Sequence, residues 1–307
     1  MSETAWVHML GGRIEYIDGD TYRTRCLASG PDVGEGDKPP LILLHGIGGH
    51  AETYIKNMMP LADSLDDREV YSLDFVGHGY SSRPTDIDYH ITDYMDQVED
   101  FMNAIGHSSA HIHGESLGGW VAGRMGLDRP GLVESVGLIT TSGVYHIDTS
   151  GEVEESVKEE SISGIEDLYE RSMEMLDERI TRERVRDRLQ WLFVEEVDDE
   201  LVDIRQRIYS QEENQEAMRI IYDTFVDDVQ DENFYFTTAE LRELTKPTLI
   251  IHTEHNPSAQ KELAEYIHNV IPDSTYYLYK NSAHWPQYEE PDLYNEHTVE
   301  FVRSHGD

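Results

Sequence analysis

The chain of 307 residues alternates short apolar runs with longer stretches in which apolar side chains recur every three or four positions. Uninterrupted apolar runs are typical of strands buried on both faces of a sheet, whereas the wider spacing is typical of helices. The pattern predicts strands at 41–44, 70–73, 110–113, 133–140, 248–251 and 275–279. It predicts helices at 53–65, 94–105, 117–127, 258–270 and 294–302. Such alternation indicates an α/β fold, a parallel sheet with helices on both faces.

Two segments depart from this alternation. Residues 6–10, 13–17 and 22–27 are short β-rich runs separated by turn residues, and they predict an initial meander. From 144 to 232 no strand is evident, and Val185, Leu189, Leu192 and Phe193 have helical spacing. We therefore predict a helical cap, residues 144–232, inserted into an α/β core of residues 1–143 and 233–307.

Charge narrows the range of partners and environments. The chain has 62 acidic against 24 basic residues, a net charge of −38, and only six of the basic residues are lysine. A surface this negative repels nucleic acids and anionic membranes, so we expect neither as a partner. Abundant acid with little lysine favours a protein from a salt-loving organism, in which molar salt screens the self-repulsion.

The sequence lacks the features of disulfide-stabilised, membrane-spanning and metal-binding proteins. The single cysteine, Cys26, cannot form an internal disulfide, and no apolar run reaches the 18 residues that a membrane span needs. The first ten residues do not resemble a signal peptide, so we expect a cytoplasmic protein. His111 and His113 share a strand face without an apparent third ligand, so we expect no metal and no cofactor. The oligomeric state is left open, and a homo-oligomer is compatible with the sequence.

A candidate nucleophile lies between a predicted strand and a predicted helix. Gly114-Glu115-Ser116-Leu117-Gly118 has the small flanking residues that a tight strand-to-helix turn requires, and such a turn exposes the serine hydroxyl. A serine needs a base, and His284 follows the last predicted strand, where that base is expected. The sequence therefore predicts Ser116 and His284 as a nucleophile and its base.

An oxyanion would need backbone N–H donors near Ser116. The N–H of Leu117, directly after the nucleophile, is one candidate. The other is Ile47, in the glycine-rich loop that follows the 41–44 strand. Gly46 in this loop allows the backbone to approach a substrate closely.

The chain resembles an α/β-hydrolase over nearly its whole length. The motifs that carry the resemblance are His45-Gly46, the segment from Asp74 to Ser81, the segment from Gly114 to Gly119, and Ala283-His284-Trp285. Within that superfamily it is similar to the meta-cleavage-product hydrolases, through residues 284–289, 50–57, 188–193 and 199–205. Those enzymes cleave a carbon–carbon bond in vinylogous 1,5-diketones of the 2-hydroxy-6-oxo-dienoate type.

The resemblance implies roles for three further residues. Arg205 matches a cap arginine that binds the dienoate carboxylate and assists ketonisation, although the neighbouring Arg207 competes for this role. Phe193 and Trp285 match aromatic residues of the substrate pocket. A small-molecule, anionic substrate is therefore expected. The sequence leaves open whether Ser116 forms an acyl-enzyme or activates water.

Two positions depart from the family pattern. Glu115 precedes the nucleophile, where the family often has asparagine. The position of the triad acid falls on Asn256, which can orient His284 but cannot offset its positive charge. Glu254, two residues earlier, is one alternative, and a missing acid is another; we favour Asn256 as the residue that orients His284.

Three functions follow, in order of preference. The first is hydrolysis of a carbon–carbon bond in a vinylogous diketone. The second is a carboxylesterase or lactonase with the same machinery. The third is a non-catalytic ligand-binding protein of this fold, which the presence of both Ser116 and His284 disfavours.

The net charge predicts that the folded state needs salt. The Debye length falls from about 30 Å at 0.01 M to about 3 Å at 1 M ionic strength, so molar KCl should remove most of the self-repulsion. We expect the melting temperature to rise between dilute buffer and molar KCl. A melting temperature that is independent of KCl would contradict the salt-adapted interpretation.

Overall fold

The computed structural model describes residues 4–144, 147–177, 179–230 and 236–306. Eight strands form one sheet in this part of the chain. They are β1 (Arg13–Asp18), β2 (Arg23–Ser29), β3 (Leu41–Leu44), β4 (Val70–Leu73), β5 (Ala110–Glu115), β6 (Val133–Ile139), β7 (Thr248–Thr253) and β8 (Ser274–Tyr279). Their order is β1-β2-β4-β3-β5-β6-β7-β8. The two pairs that include β2 are antiparallel and all other pairs are parallel.

The register aligns the carboxyl ends of the central parallel strands. Leu44 of β3 lies opposite Gly114 of β5, and Glu115 lies opposite Ile139 of β6. Ile139 in turn lies opposite Ile251 of β7. The loops that follow these strands therefore open at one edge of the sheet, where α/β folds place their ligand sites.

Helices flank the sheet in the described ranges. They are α1 (Met58–Ser64), α2 (Ile91–Ala104), α3 (Leu117–Asp128), α4 (Glu155–Asp177), α5 (Arg182–Gln190), α6 (Asp199–Tyr209), α7 (Glu212–Gln230), α8 (Thr238–Glu243), α9 (Lys261–Val270), α10 (Pro286–Glu289) and α11 (Pro291–His305). Helix α3 packs against β5 and β6, and its buried Trp120 forms part of the core. The predicted α/β class, with its mostly parallel sheet, is confirmed. None of the helices described is both long and apolar enough to cross a bilayer.

Four helices, α4 to α7, lie between β6 and α8. Helix α5 packs against α6, and α4 packs against α7. Val185, Leu189, Leu192 and Phe193 are all buried, although α5 ends at Gln190 and the last two residues follow it. The predicted end of the cap, residue 232, lies outside the described residues, so the division into core and cap stays a prediction.

The strand predicted at 6–10 is wrong. Residues Ala5–Met9 form a 3₁₀ helix, and the Thr4 side chain accepts a hydrogen bond from the Trp6 N–H at its start. Ala5 and Met9 are buried, whereas Leu10 is 74% exposed. The apolar residues therefore cover the core from one side of a short helix, and they do not pair with β1.

The helix predicted at 53–65 is two separate elements. A 3₁₀ helix spans Ala51–Tyr54, and α1 begins at Met58. Proline has no N–H to donate inside a helix but is tolerated in the first turn, which is where Pro60 lies in α1. Pro60 therefore explains why one continuous helix does not form.

Candidate active site

Ser116 lies on a strained turn between β5 and α3. Its φ is 53° and its ψ is −116°, a conformation that costs a non-glycine residue about 1–3 kcal/mol. A Cβ added to Gly114 would lie 2.0 Å from the carbonyl carbon of Gly118, and one added to Gly118 would lie 2.3 Å from the Leu44 oxygen. The two glycines of the motif are therefore required by close backbone packing.

Neighbouring strands hold the turn in place. The Ser116 N–H donates to Ile139 O at 2.9 Å, and Ser116 O accepts from the Ser142 N–H at 3.1 Å. The hydroxyls of Ser116 and Ser142 are 3.1 Å apart. Ser142 was not among the predicted site residues, although its place just after β6, beside β5, could have indicated it.

His284 is fixed from both sides of the site. Its backbone N–H donates to Leu192 O at 3.0 Å, and the Thr140 hydroxyl donates to the backbone oxygen of His284 at 2.9 Å. Its Nδ1 lies 2.8 Å from Asn256 Oδ1. The Ser258 N–H also donates to this oxygen, at 3.2 Å, which fixes the orientation of the amide. His284 Nδ1 therefore carries a proton that it donates to Asn256.

Glu254 lies elsewhere. It pairs with Lys261 at the surface, and its side chain is 37% exposed. The structure thus places Asn256 against His284 and places Glu254 outside this group.

Glu115 is a buried carboxylate that contacts both His284 and the loop after β3, which carries Gly46 and Ile47. Glu115 Oε2 accepts the Gly46 N–H at 2.7 Å, and Oε1 lies 3.0 Å from His284 Nε2. Glu115 is 1% exposed. Ser116 and His284 both belong to the described part of the chain, and no hydrogen bond joins them. His284 Nε2 contacts Glu115 instead.

Two backbone donors near Ser116 have no acceptor. Within the described ranges, neither the Ile47 N–H nor the Leu117 N–H makes a hydrogen bond. The loop that carries Ile47 is nevertheless anchored at Gly48. His78 Nε2 accepts the Gly48 N–H at 3.1 Å, and the Tyr209 hydroxyl donates to Gly48 O at 2.8 Å. Burial lowers the pKa of His78 to about 3, so its ring is neutral and can accept this bond.

Gly46 lies directly against Glu115 and Ser116. A Cβ added there would lie 2.7 Å from Glu115 Oε1 and 3.0 Å from Ser116 Cβ. A side chain at this position would therefore displace the Glu115 carboxylate or Ser116.

Arg205, on α6, is buried, and no carboxylate among the described residues pairs with it. It is 3% exposed, and its Nε and Nη2 have no hydrogen-bond partner among the described residues. Its guanidinium lies 5.4 Å from the centre of the Tyr209 ring and 5.7 Å from that of Trp285. Arg207, by contrast, is exposed.

The two predicted pocket aromatics contact each other. Phe193 and Trp285 pack edge to face at 5.3 Å, and both are buried. Glu289 fastens this region, since it accepts the Val194 N–H and the Ala283 N–H at 2.7 Å each. The wall beside His284 is thus built jointly from the segment after α5 and the segment before α10.

The two strand histidines, His111 and His113, face a serine. Both lie within hydrogen-bond distance of the Ser135 hydroxyl, and burial lowers their pKa values to about 2 and about 3. In the described ranges, no group of three or more His, Cys, Asp or Glu residues could hold a metal ion.

The family is shown by comparison with known proteins. A family model for the alpha/beta hydrolase fold matches residues 39–291, so the chain belongs to this family. A 2-hydroxy-6-oxo-6-(2'-aminophenyl)hexa-2,4-dienoic acid hydrolase of Metapseudomonas resinovorans is 23% identical, over 100% of this chain and 94% of that enzyme. A dihydrolipoyllysine-residue acetyltransferase component of the acetoin cleaving system of Cupriavidus necator is 30% identical over 56% of this chain, but the match covers only 46% of that protein.

Solved structures of two kinds of enzyme share the fold. A serine hydrolase involved in carbazole degradation has a TM-score of 0.74 at 20% identity, with 95% of this chain and 99% of that chain covered. A carboxylesterase of Bacillus subtilis has a TM-score of 0.72 at 21% identity, with 97% and 94% covered. At these identities the similarity shows the fold alone.

The packing at the turn predicts the effect of one added methyl group. Gly114→Ala places a Cβ against the Gly118 backbone, which cannot move aside as a side chain can. Overpacking typically costs about 1–3 kcal/mol, and we expect the upper end of that range or more in the free energy of unfolding. Urea denaturation in molar KCl would measure it.

Gly131→Ala is the matched control, because a Cβ there meets nothing within 4 Å. Equal stability of the two variants would show that the turn tolerates a side chain.

Proposed function

We propose that this protein is a serine hydrolase that cleaves a carbon–carbon bond in a vinylogous 1,5-diketone bearing a carboxylate. The observation that carries the proposal is the buried, unpaired guanidinium of Arg205 beside Trp285, the residue that follows His284. Ser116 serves as nucleophile, His284 as base, and Asn256 as the group that orients His284.

Arg205 is unexpected in a chain with 62 acidic residues. Burying an unpaired charge costs several kcal/mol, and a cation in such a protein could readily find a surface carboxylate. Arg205 has none among the described residues, and two of its nitrogens keep free N–H groups. A planar guanidinium binds a carboxylate through two parallel hydrogen bonds. The bound substrate would supply the missing anion.

The reaction follows from these positions. With the substrate carboxylate held by Arg205, the dienol first ketonises, and Ser116 Oγ then attacks the ketone carbon while His284 takes the hydroxyl proton. The oxyanion would lie at the N–H groups of Ile47 and Leu117, which have no other acceptor among the residues described. The carbon–carbon bond then breaks with its electron pair on the enolate fragment, which His284 reprotonates. Water releases the acyl group from Ser116.

The aromatic wall suits such a substrate. Trp285 follows His284 and lies 5.7 Å from the Arg205 guanidinium, and Phe193 packs edge to face against it. A conjugated dienoate is itself flat and apolar between its charged end and its ketone. The similarity to a dienoic acid hydrolase over the whole chain supports the same substrate class.

A carboxylesterase is the second candidate. A carboxylesterase of Bacillus subtilis is 24% identical over 94% of this chain, and ester cleavage needs the same serine, histidine and oxyanion donors. It does not require an arginine in the pocket, so the response of each substrate to loss of Arg205 distinguishes the two functions.

The role of Ser116 can be tested directly. We expect a fluorophosphonate probe to label Ser116 in molar KCl, and Ser116→Ala to lose both labelling and turnover because no other nucleophile occupies the turn. Mass spectrometry of the labelled peptide and a dienoate assay would measure these outcomes. A fully active alanine variant would refute the mechanism, and Ser142→Ala controls for the neighbouring hydroxyl.

The role of Arg205 predicts a difference between substrates. A hydrogen bond to a charged group contributes about 1.5–3 kcal/mol, so Arg205→Ala should reduce kcat/KM for the dienoate by roughly 10- to 150-fold. Hydrolysis of a neutral nitrophenyl ester should fall much less.

Arg207→Ala is the matched control, since this arginine lies two residues away on the same helix but is exposed. Equal losses on both substrates in Arg205→Ala would show that Arg205 is structural, and the esterase would then be the better assignment.

A further inference from the structure

We propose that Glu115, the residue before the nucleophile, supplies His284 with the negative charge that Asn256 cannot provide. It does so from the Nε2 side of the ring, opposite to the side on which a triad acid acts. Glu115 is therefore a positioning residue that acts through His284. The proposal rests on the Ser116–His284 pair of the proposed function, but it does not depend on the substrate.

The first step is the proton count between Glu115 and His284. Nδ1 carries a proton because it faces Asn256 Oδ1, whose identity as oxygen is fixed by the Ser258 N–H. A neutral ring would then present a bare lone pair at Nε2. Glu115 Oε1, an acceptor when ionised, lies 3.0 Å from that nitrogen. This contact does not have the geometry of a hydrogen bond, so the carboxylate lies off the direction of the Nε2 lone pair, which stays free to take the Ser116 proton.

The second step concerns the cost of burial. Glu115 is 1% exposed, and no Lys or Arg pairs with it in the described ranges. An unpaired buried carboxylate is strongly destabilising. The Gly46 N–H satisfies one oxygen, and His284 is the group that can offer a positive charge to the other. Glu115 and the imidazolium form of His284 would thus compensate each other.

The third step is the consequence for catalysis. When Ser116 attacks, its proton passes to His284 and the ring becomes positively charged. In the usual triad an aspartate stabilises this imidazolium, and the amide of Asn256 only orients it. A carboxylate 3.0 Å from the ring, in a buried site, stabilises the same charge. Ser116 follows Glu115 in the chain, and both approach Gly46, so the serine and the carboxylate lie close together.

A purely structural role is the competing explanation. Glu115 could serve only to hold the loop after β3, through the Gly46 N–H. Glu115→Gln separates the two roles, because its amide oxygen can still accept that N–H whereas its charge is gone. Glu115→Asn provides a second neutral variant if Glu115→Gln does not fold, and urea midpoints in molar KCl verify the fold of each.

The experiment is a cycle of variants read by the rate of fluorophosphonate labelling of Ser116. Loss of a charge-assisted contact predicts labelling about 10- to 150-fold slower in Glu115→Gln than in the wild type. Asn256→Asp places a carboxylate on the Nδ1 side. This change should accelerate labelling at least about 10-fold when combined with Glu115→Gln but less than about 3-fold in the wild type. The two effects are not additive, because both residues act on the His284 ring. Glu254→Gln, a surface acid changed in the same way, is the control.

Two outcomes would overturn the proposal. If Glu115→Gln labels as fast as the wild type, the charge of Glu115 does not matter. If labelling slows and Asn256→Asp does not restore it, Glu115 acts only on the loop. Labelling does not use the dienoate, so a failure of the proposed substrate leaves this result readable.

Discussion

The site depends on the strained turn at Ser116, which can form only because backbone segments approach without side chains between them. The turn needs Gly114 against Gly118 and Gly118 against Leu44, at separations that exclude a Cβ. Hydrogen bonds from the end of β6 and from the first turn of α3 then hold Ser116 in this conformation. Their contribution offsets the strain of its backbone. A packing constraint at the carboxyl end of β5 thus directs the hydroxyl into the site.

A buried charge network fixes the other half of the site, the loop after β3. Arg25 of β2 contacts the carboxylates of both Glu52 and Asp74, and Glu52 also lies 2.8 Å from His50 Nδ1. Asp74 accepts the Ala51 N–H at 2.7 Å. These bonds tie the segment from His50 to Glu52 to β2 and to the end of β4. Ion pairs therefore anchor the end of the loop that carries Gly46 and Ile47, whereas the serine is anchored by backbone packing.

Local patterns in the sequence were enough for the parallel strands and for most flanking helices, because apolar runs and helical spacing report burial directly. They were not enough at residues 6–10, where five apolar-rich residues suit a strand and a 3₁₀ helix equally. For the site, position along the chain predicted the loops of Ser116, His284 and Asn256, since all follow strands that end at one edge. The place of Ser142 just after β6 could have indicated it, but the contacts of Glu115 could not be predicted, because they depend on side-chain direction across strands that are distant in sequence. Arg205 could be nominated from the resemblance, but the absence of a partner for it among the described residues is visible only in the structure.

The positions of the charges in the site favour one orientation of an anionic substrate. A carboxylate-bearing substrate that enters a chain of net charge −38 meets Glu115 beside the nucleophile and the guanidinium of Arg205 beside Trp285. Repulsion from Glu115 and attraction to Arg205 both favour the orientation in which the carboxylate lies at α6 and the ketone lies at Ser116. In the proposed reaction, the acid that departs from the family pattern therefore does not oppose an anionic substrate. Under the two proposals, it disfavours the reversed orientation, and the same charge would stabilise His284 as the proton leaves the serine.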